Sequence, residues 1–354
     1  MNNKLLVFDF VKLAWAIFLS LLIVIVIIII ISSEPLLAIH SFIIGPFTTV
    51  RRFGNIIEAM TPLLFTGLSV TMLYKAGLFN LSMEGGFFIG SVGAAAAALL
   101  LPFPPQVNLL AAMAFAAILG GITSLIPGIL KVKCNANELV TSLMLNFVLL
   151  HIGMFIVINY LRDPGMGVNF SHKFPEEMQL TRFVPGTRIN TGLLIALAAV
   201  IIFWIILNRT SFGYKVSLVG KNAKMAAYSG IAVGKVIVLS QLIGGTVAGL
   251  GGATELFGMY QRFQYQGLPG FGWDGVLIAI VAQFKVQFIP LAAFFLAYLR
   301  IGADIMARTS DVPMEIIRVI QAVMIVLISA AALLSRYRNK LVAEQAEKEA
   351  GEDG

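Results

Sequence analysis

Charged residues are scarce in this chain. Asp, Glu, Lys and Arg together make up 12% of 354 residues, and hydrophobic residues make up 58%. A soluble domain typically carries about 25% charged residues. This much apolar surface cannot be hidden in one water-soluble core, so the bilayer must act as the solvent. The composition therefore excludes a soluble protein and predicts an all-α, polytopic membrane protein.

Cysteine and catalytic motifs are also lacking. The single cysteine, Cys134, excludes an intrachain disulfide and a zinc-type cysteine cluster. The patterns HExxH, GxSxG and CxxC do not occur. Gly220–Lys221 is not a phosphate loop, because Asn222 stands where Ser or Thr is needed and Lys215 stands where Gly is needed. We therefore expect no enzyme, and no cofactor or energy source in this chain.

The net charge of +7 is not typical of nucleic-acid binding here, because the basic residues separate apolar segments instead of clustering. Placing both termini in the cytoplasm puts most lysines and arginines inside, chiefly through basic patches at 209–235 and 336–340. Arg51 and Arg52 oppose this orientation. The orientation with both termini inside predicts a multi-pass protein of the plasma membrane. In it, the loop 161–190 lies outside the cell and the loop 209–235 lies in the cytoplasm.

Ten apolar segments are candidate helices of the roughly 20 residues that cross a bilayer. They are about 13–31, 56–74, 78–101, 108–130, 138–160, 191–208, 236–257, 272–284, 288–306 and 313–335. The eighth is too short to span alone, so eight to eleven spans fit the sequence. The first is interpreted as an uncleaved helix and not as a signal peptide. Residues 1–335 form the predicted membrane domain, and the charged tail 336–354 is predicted to be disordered.

Two segments 190 residues apart are similar. "GLFNLSMEGG" (77–86) and "GLPGFGWDGV" (267–276) share two glycines, a leucine and an acidic residue at matching positions. Chance is one explanation, since Gly and Leu are common here. The other is a duplication of five helices, with halves of about 1–190 and 191–335. Because five is odd, the second half would be inverted, and Gly-interrupted helices in inverted repeats indicate a transport pathway.

Polar residues within apolar segments are candidates for that pathway. Glu84 and Asp274 either cap broken helix ends or line the pathway, and Glu58 fits either role. Glu138 suits a helix start, where a carboxylate favours the dipole. Ser142 and Asn146 follow it on one helix face and either bond neighbouring helices or line the pathway. The pathway candidates are Asn80, Glu84, Thr141, Ser142, Asn146, Phe271, Trp273 and Asp274.

The segment 209–235 contains the signals of a short helix. Asn222 suits an N-cap, Ala223–Tyr228 suits the helix and Gly230 suits its end. This helix is either a simple connector or a docking element for a soluble partner.

Five stretches in this order resemble the permease subunits of ABC importers for nucleosides and simple sugars. They are "AGLFNLSMEGG" (76–86), "NELVTSLMLNF" (137–147), "VGKNAKMAAYSGI" (219–231), "GGTVAGLGGATELFG" (244–258) and "GFGWDG" (270–275). The pairs Phe79–Asn80 and Glu84–Gly85 look more like the nucleoside branch than the ribose branch.

The resemblance implies several partners and an importer that works by alternating access. Cytoplasmic ATPase subunits would carry ATP and magnesium, a second, paralogous permease would complete the pathway, and an extracellular binding protein or lipoprotein would deliver substrate. The ATPase-coupling residues would be Gly220, Lys221, Asn222, Ala226, Ala227 and Gly230.

A neutral nucleoside is the expected substrate. The apolar segments hold few acidic residues for a cation and almost no deep Lys or Arg for an anion, whereas amides, hydroxyls and aromatic rings suit a base and its ribose. The alternatives are a permease for a simple sugar such as ribose and an ion-coupled secondary transporter.

Overall fold

The structure, a computed structural model, describes residues 22, 23 and 25–312. Over these residues the protein is helical, and β pairing is limited to two isolated bridges, Arg162–Ser171 and Arg182–Asn190. The named α-helices are α1 (Pro35–Ile43), α2 (Val50–Lys75), α3 (Ser82–Leu100), α4 (Pro105–Cys134), α5 (Glu138–Ile156), α6 (Gly192–Arg209), α7 (Ser211–Lys221), α8 (Ala223–Tyr228), α9 (Val233–Met259), α10 (Phe271–Val281) and α11 (Ile289–Thr309). A π-helical turn, Val157–Leu161, extends α5, and a 3-10 turn, Val286–Phe288, precedes α11.

Seven helical segments within the described residues are long and apolar enough to cross a membrane. They are α2, α3, α4, Glu138–Leu161, α6, α9 and Val286–Thr309, and each matches a predicted span. The predicted short segment is α10, whose 11 residues would extend only about 16 Å. The all-helical membrane class is thus confirmed over the described residues, whereas ten helices in two inverted halves stay a prediction.

Part of the prediction lies outside the described residues. The span at 313–335, the tail at 336–354 and most of the span at 13–31 belong to this part.

The described residues divide into two compact units. The larger comprises Thr49–Ala279 and Phe284–Ala297, and the smaller is described over 22–23, 25–48, 280–283 and 298–312. In the larger unit α9 is central: it packs most extensively against α4, then against α3 and α2. Helices α4, α5 and α6 expose much of their apolar surface, whereas α2 and α3 are mostly buried, as expected if α4, α5 and α6 face lipid.

Glycines bring the backbones of α3, α4 and α9 into direct contact. A Cβ added at Gly90 would lie 2.5 Å from the Cα of Gly249, and one added at Gly120 would lie 2.8 Å from that same Cα. One added at Gly252 would overlap the carbonyl oxygen of Phe87. Small residues allow this close approach of membrane helices. The buried residues Ala94, Ala95, Ala97 and Ala98 of α3 belong to the same core.

The smaller unit is fixed by hydrogen bonds at Asp311. The Ser32 hydroxyl donates to Oδ1 at 2.6 Å and the Ser33 amide donates to Oδ2 at 2.7 Å. These bonds, the Ser32 bond foremost, hold the pKa of Asp311 below its ordinary value. In the same unit the Tyr298 ring packs on Phe47, with 5.6 Å between ring centroids.

Candidate functional site

Glu84 caps a helix other than its own. It lies in the first turn of α3 and is 1% exposed. Its Oε1 accepts a hydrogen bond from the Gly270 amide at 2.6 Å, and its Oε2 accepts one from the Gly272 amide at 2.5 Å. These amides lie at the start of α10, where backbone N–H groups have no partner within the helix and a negative charge is favoured. Glu84 therefore anchors the start of α10 to α3.

The start of α10 is pressed closely against its neighbours. A Cβ on Gly272 would lie 2.6 Å from the Glu84 nitrogen, and one on Gly275 would lie 2.7 Å from the carbonyl oxygen of Thr66 in α2. Asp274 lies in the first turn of α10 and is buried. Two acidic side chains therefore lie at the start of α10. Asp274 lies in its first turn, and Glu84 reaches it from α3.

The two similar segments share a local structure. In each, the acidic residue lies in the first turn of a helix, Glu84 in α3 and Asp274 in α10. The glycine that follows each acid has no room for a side chain: a Cβ would lie 2.6 Å from Asn146 Oδ1 at Gly85 and 2.7 Å from Thr66 O at Gly275. The inverted arrangement of the halves stays a prediction.

Asn80 joins the segment before α3 to α9. Its Oδ1 accepts a hydrogen bond from the Ser82 amide at 2.6 Å, and its Nδ2 donates to Gln241 Oε1 at 2.7 Å. The first bond closes a local turn at the helix start, and the second links that segment to α9, so both polar atoms of Asn80 take part in holding the fold together.

The predicted polar stripe of α5 holds the same segment from the other side. Ser142 Oγ accepts from the Leu81 amide at 3.1 Å. Asn146 donates to the Leu81 carbonyl at 3.0 Å and accepts from the Gly85 amide at 2.9 Å. These are interhelical hydrogen bonds, which was one of the two interpretations. Their contribution to a pathway stays a prediction.

The other predicted pathway residues differ in their surroundings. The Phe271 ring packs on Phe87, 4.8 Å between centroids, so it belongs to the α3–α10 contact. Trp273 is 52% exposed. The Thr141 hydroxyl donates to the Asn137 carbonyl at the start of its own helix, at 3.0 Å. It therefore takes no part in the hydrogen bonds that join α5 to the start of α3. Glu138 begins α5, as predicted.

The short helix at 223–228 is confirmed with its predicted ends. Asn222 Oδ1 accepts from the Met225 amide at 3.0 Å. Gly230 has φ of +76°, a conformation that favours glycine. The Gly230 amide donates to Ala227 O at 3.0 Å and the Ile231 amide donates to Ala226 O at 3.1 Å, the pair of bonds of a Schellman ending.

Helix α7, directly before α8, was missed by the sequence analysis. The signals for it exist: Thr210 caps its start by accepting from the Gly213 amide at 3.2 Å, and Gly213, Val216 and Val219 recur at helical spacing and are buried. The segment Ser211–Lys221 is short and has a glycine, Gly220, next to its end, which is also typical of a loop.

The end of α7 touches the loop after α2. Gly77 has φ of +75°, and a Cβ on it would lie 3.0 Å from the Cα of Gly220. A Cβ on Gly220 would in turn overlap the Lys75 carbonyl oxygen. This contact connects the α7–α8 segment to the loop that leads to Asn80 and the start of α3.

A cavity of about 560 Å³ adjoins the end of α9 and the segment between α5 and α6. Its lining includes Met166, Lys173, Arg188, Tyr260, Arg262 and Gln264. Sequence reasoning missed it, since these residues come from distant segments without a shared motif. Within the described part of the chain, no three His, Cys, Asp or Glu side chains are grouped to hold a metal ion.

Comparison with known proteins identifies the family. Residues 52–329 match the family described as "Branched-chain amino acid transport system / permease component". The guanosine ABC transporter permease protein NupP of Bacillus subtilis is 31% identical over 303 residues, which cover 84% of this chain and 86% of that protein. The nucleoside ABC transporter permease protein NupB of Lactococcus lactis is 28% identical over 334 residues, covering 90% and 91%. The glucose ABC transporter permease protein TsgB13 of Haloferax volcanii is 31% identical over 310 residues, covering 82% and 80%.

The family match, residues 52–329, extends over the helices that hold Glu84, the α5 stripe and the α7–α8 segment. It also agrees with the seven apolar helices found among the described residues. The chain therefore belongs to the permease family of ABC transporters for nucleosides and simple sugars, as a multi-pass membrane permease subunit and not an enzyme.

Proposed function

We propose that the chain is the permease of an ATP-driven importer that takes up intact nucleosides by alternating access in a bacterial plasma membrane. Both termini face the cytoplasm in this proposal. Cytoplasmic ATPase subunits hold ATP and magnesium, a second, paralogous permease shares the pathway, and an extracellular binding protein or lipoprotein delivers the substrate.

The observation that carries the nucleoside assignment is the similarity, over most of the chain, to permeases named for guanosine and for nucleosides. The chemistry of the candidate site agrees with it. Around the starts of α3 and α10 the side chains offer amides, a hydroxyl and aromatic rings, and the Glu84 carboxylate already binds two backbone amides. Such a lining suits a neutral, aromatic ligand.

A sugar is the second candidate substrate. It is favoured by the glucose permease relative, which is as similar to this chain as the guanosine permease, 31% identical in both cases.

Competition for uptake separates the two substrates. In cells that carry the whole transporter, we expect excess unlabelled nucleoside to suppress uptake of labelled guanosine or uridine almost fully. Ribose, glucose, free base and branched-chain amino acids should leave it nearly unchanged, because none of them offers both a base and a ribose. Competition by glucose or ribose as strong as that by nucleoside would replace the nucleoside assignment with the sugar.

The α7–α8 segment is the proposed contact with the ATPase. Helix α8 is capped at both ends, so it is a rigid unit despite its six residues. Met225 and Tyr228 are exposed on it, Tyr228 by 91%, whereas Ala226 is buried. The exposed pair would enter the ATPase, and Ala226 would hold α8 against the permease.

Tyr228→Glu tests this contact without disturbing the buried side of α8. We expect uptake to fall at least tenfold and co-purification of the ATPase to drop, because a carboxylate would replace an aromatic ring in an interface centre. Phe183→Glu, the same gain of a carboxylate at an exposed aromatic residue outside the membrane-crossing helices, should leave co-purification normal. Normal ATPase recovery and uptake with Tyr228→Glu would show that α8 is only a connector.

A further inference from the structure

Glu58 on α2 is a buried carboxylate with an unused hydrogen-bond acceptor. It is 6% exposed, and its Oε1 has no hydrogen-bond partner among the described residues. Buried polar atoms are nearly always hydrogen-bonded, and one left without a donor costs free energy. This oxygen is therefore available to a donor that the chain itself does not supply.

One further polar atom near Glu58 shares this property. Asn55, three residues earlier, lies on the same face of α2, and its Oδ1 also lacks a partner in the described chain. The hydroxyl of Tyr265 has no partner at full hydrogen-bonding geometry, but it interacts with the neighbouring Tyr260 side chain. The two rings pack with 5.7 Å between their centroids, and Tyr260 interacts electrostatically with Glu58. Asn55, Glu58 and this tyrosine pair thus belong to one polar region at the end of α9.

The phenols of this region stay neutral. Burial, followed by the charges of Glu255 and Glu58, raises the pKa of Tyr260 to about 12. Burial likewise raises the pKa of Tyr265 well above its ordinary value. Both rings therefore offer a hydroxyl and an aromatic face at neutral pH.

The charges around Glu58 select against ionic ligands. Arg188 and Arg182 interact electrostatically with it and would oppose a cation. The cavity at the end of α9 is lined by Lys173, Arg188 and Arg262, and Arg262 has a counter-ion in Asp163, whose Oδ2 lies 3.5 Å away. An anion that passed these cations would meet the carboxyl group of Glu58 itself. A neutral ligand that donates hydrogen bonds fits this balance best.

The cavity at the end of α9 adjoins this part of α2. Arg188 and Tyr260 line the cavity, and the residue before Arg188, Thr187, packs on α2, where a Cβ added at Gly54 would lie 2.7 Å from it. Its volume of about 560 Å³ lies within the range of small-molecule sites, roughly 300–1,000 Å³.

We propose that Glu58, Asn55 and Tyr265 form a second binding site, reached from this cavity, in which the Glu58 carboxylate accepts hydrogen bonds from the vicinal hydroxyls of a neutral sugar-bearing ligand. Under the proposed function, on which this inference rests, those hydroxyls are the ribose 2′- and 3′-hydroxyls of the nucleoside. Tyr260 and Tyr265 supply ring faces for the base.

The test is a comparison of ribonucleosides with their deoxy analogues. Uptake of guanosine, 2′-deoxyguanosine and 3′-deoxyguanosine is measured with the wild type and with Glu58→Gln. Because the delivery protein is the same in both, a change in the preference for guanosine reports on the permease. We expect Glu58→Gln to reduce that preference about tenfold, because one of the two carboxyl oxygens becomes an NH₂ group that cannot accept a hydrogen bond. Glu138→Gln, the same change in a carboxylate paired with Lys131, should leave it unchanged.

Each outcome decides the inference. The inference is overturned if Glu58→Gln leaves the preference for guanosine over its deoxy analogues unchanged. It is also overturned if uptake of all three substrates falls equally, because Glu58 would then have only a structural role. If Glu58→Gln does not accumulate in the membrane, Asn55→Ala removes the other unused acceptor of the site and should lower the preference in the same direction. A wild-type transporter that takes up no nucleoside overturns the proposed function instead, and this inference with it.

Discussion

Glu84→Gln is expected to reduce uptake by at least a hundredfold with normal expression. The carboxylate accepts two short hydrogen bonds from the backbone at the start of α10. A glutamine offers only one oxygen, and its NH₂ group would face an N–H donor. Hydrogen bonds to charged groups contribute about 1.5–3 kcal/mol each, and an unpaired buried donor adds its own cost. The start of α10 would lose its anchor to α3.

Glu138→Gln is the matched control for this experiment. Glu138 also lies in the first turn of a helix, but its partner is a side chain, Lys131 Nζ at 2.8 Å, which is partly exposed. Partly exposed ion pairs contribute about 0–1 kcal/mol, so uptake should change less than fivefold. Uptake normalised to the amount of protein in the membrane gives the comparison. Equal, mild losses in both variants would refute the role of Glu84 as an anchor.

Gly220→Ala is expected to uncouple transport from ATP hydrolysis. The added methyl group would overlap the Lys75 carbonyl oxygen and lie 3.0 Å from the Gly77 nitrogen. Backbone atoms cannot move aside as a side-chain tip can, so α7 must separate from the loop after α2. We expect uptake to fall at least tenfold while the ATPase still co-purifies, because Met225 and Tyr228 are unchanged.

Gly267→Ala is the control for that variant. A Cβ at Gly267 meets nothing within 4 Å, so its uptake and ATPase activity should be normal. ATPase activity and uptake measured in the same proteoliposomes give the ratio of ATP hydrolysed per substrate moved. An unchanged ratio for Gly220→Ala would exclude this contact as the route between the ATPase and the start of α3.

Local chemistry determined how much of the fold could be predicted. The spans follow from apolar length alone, and α8 follows from Asn222 and Gly230, whose capping bonds reach only a few residues. The partners of Glu84 could not be predicted in this way. Gly270 and Gly272 lie 186 and 188 residues away, so the helix that Glu84 caps depends on tertiary packing.

In the candidate site, too, features that depend on local spacing could be predicted, whereas contacts that depend on tertiary packing could not. The sequence identified Ser142 and Asn146 as one polar face of a helix, because that depends on spacing alone. It gave no sign that this face would meet the Leu81 backbone, 61 and 65 residues away. The region around Glu58 was harder still, since Tyr260 and Arg188 are brought to α2 by segments without a recognisable motif.

The glycine contacts among α3, α4 and α9 have a thermodynamic consequence. Long side chains lose up to about 2 kcal/mol of rotamer entropy each when an interface immobilises them, and glycine loses none. Gly90, Gly120 and Gly249 have no rotamers to lose, so these helices associate in the bilayer with little entropic opposition. The close approach of the backbones adds dispersion contacts to those of the surrounding side chains. We therefore expect this three-helix core to be the last part of the larger unit to come apart on heating.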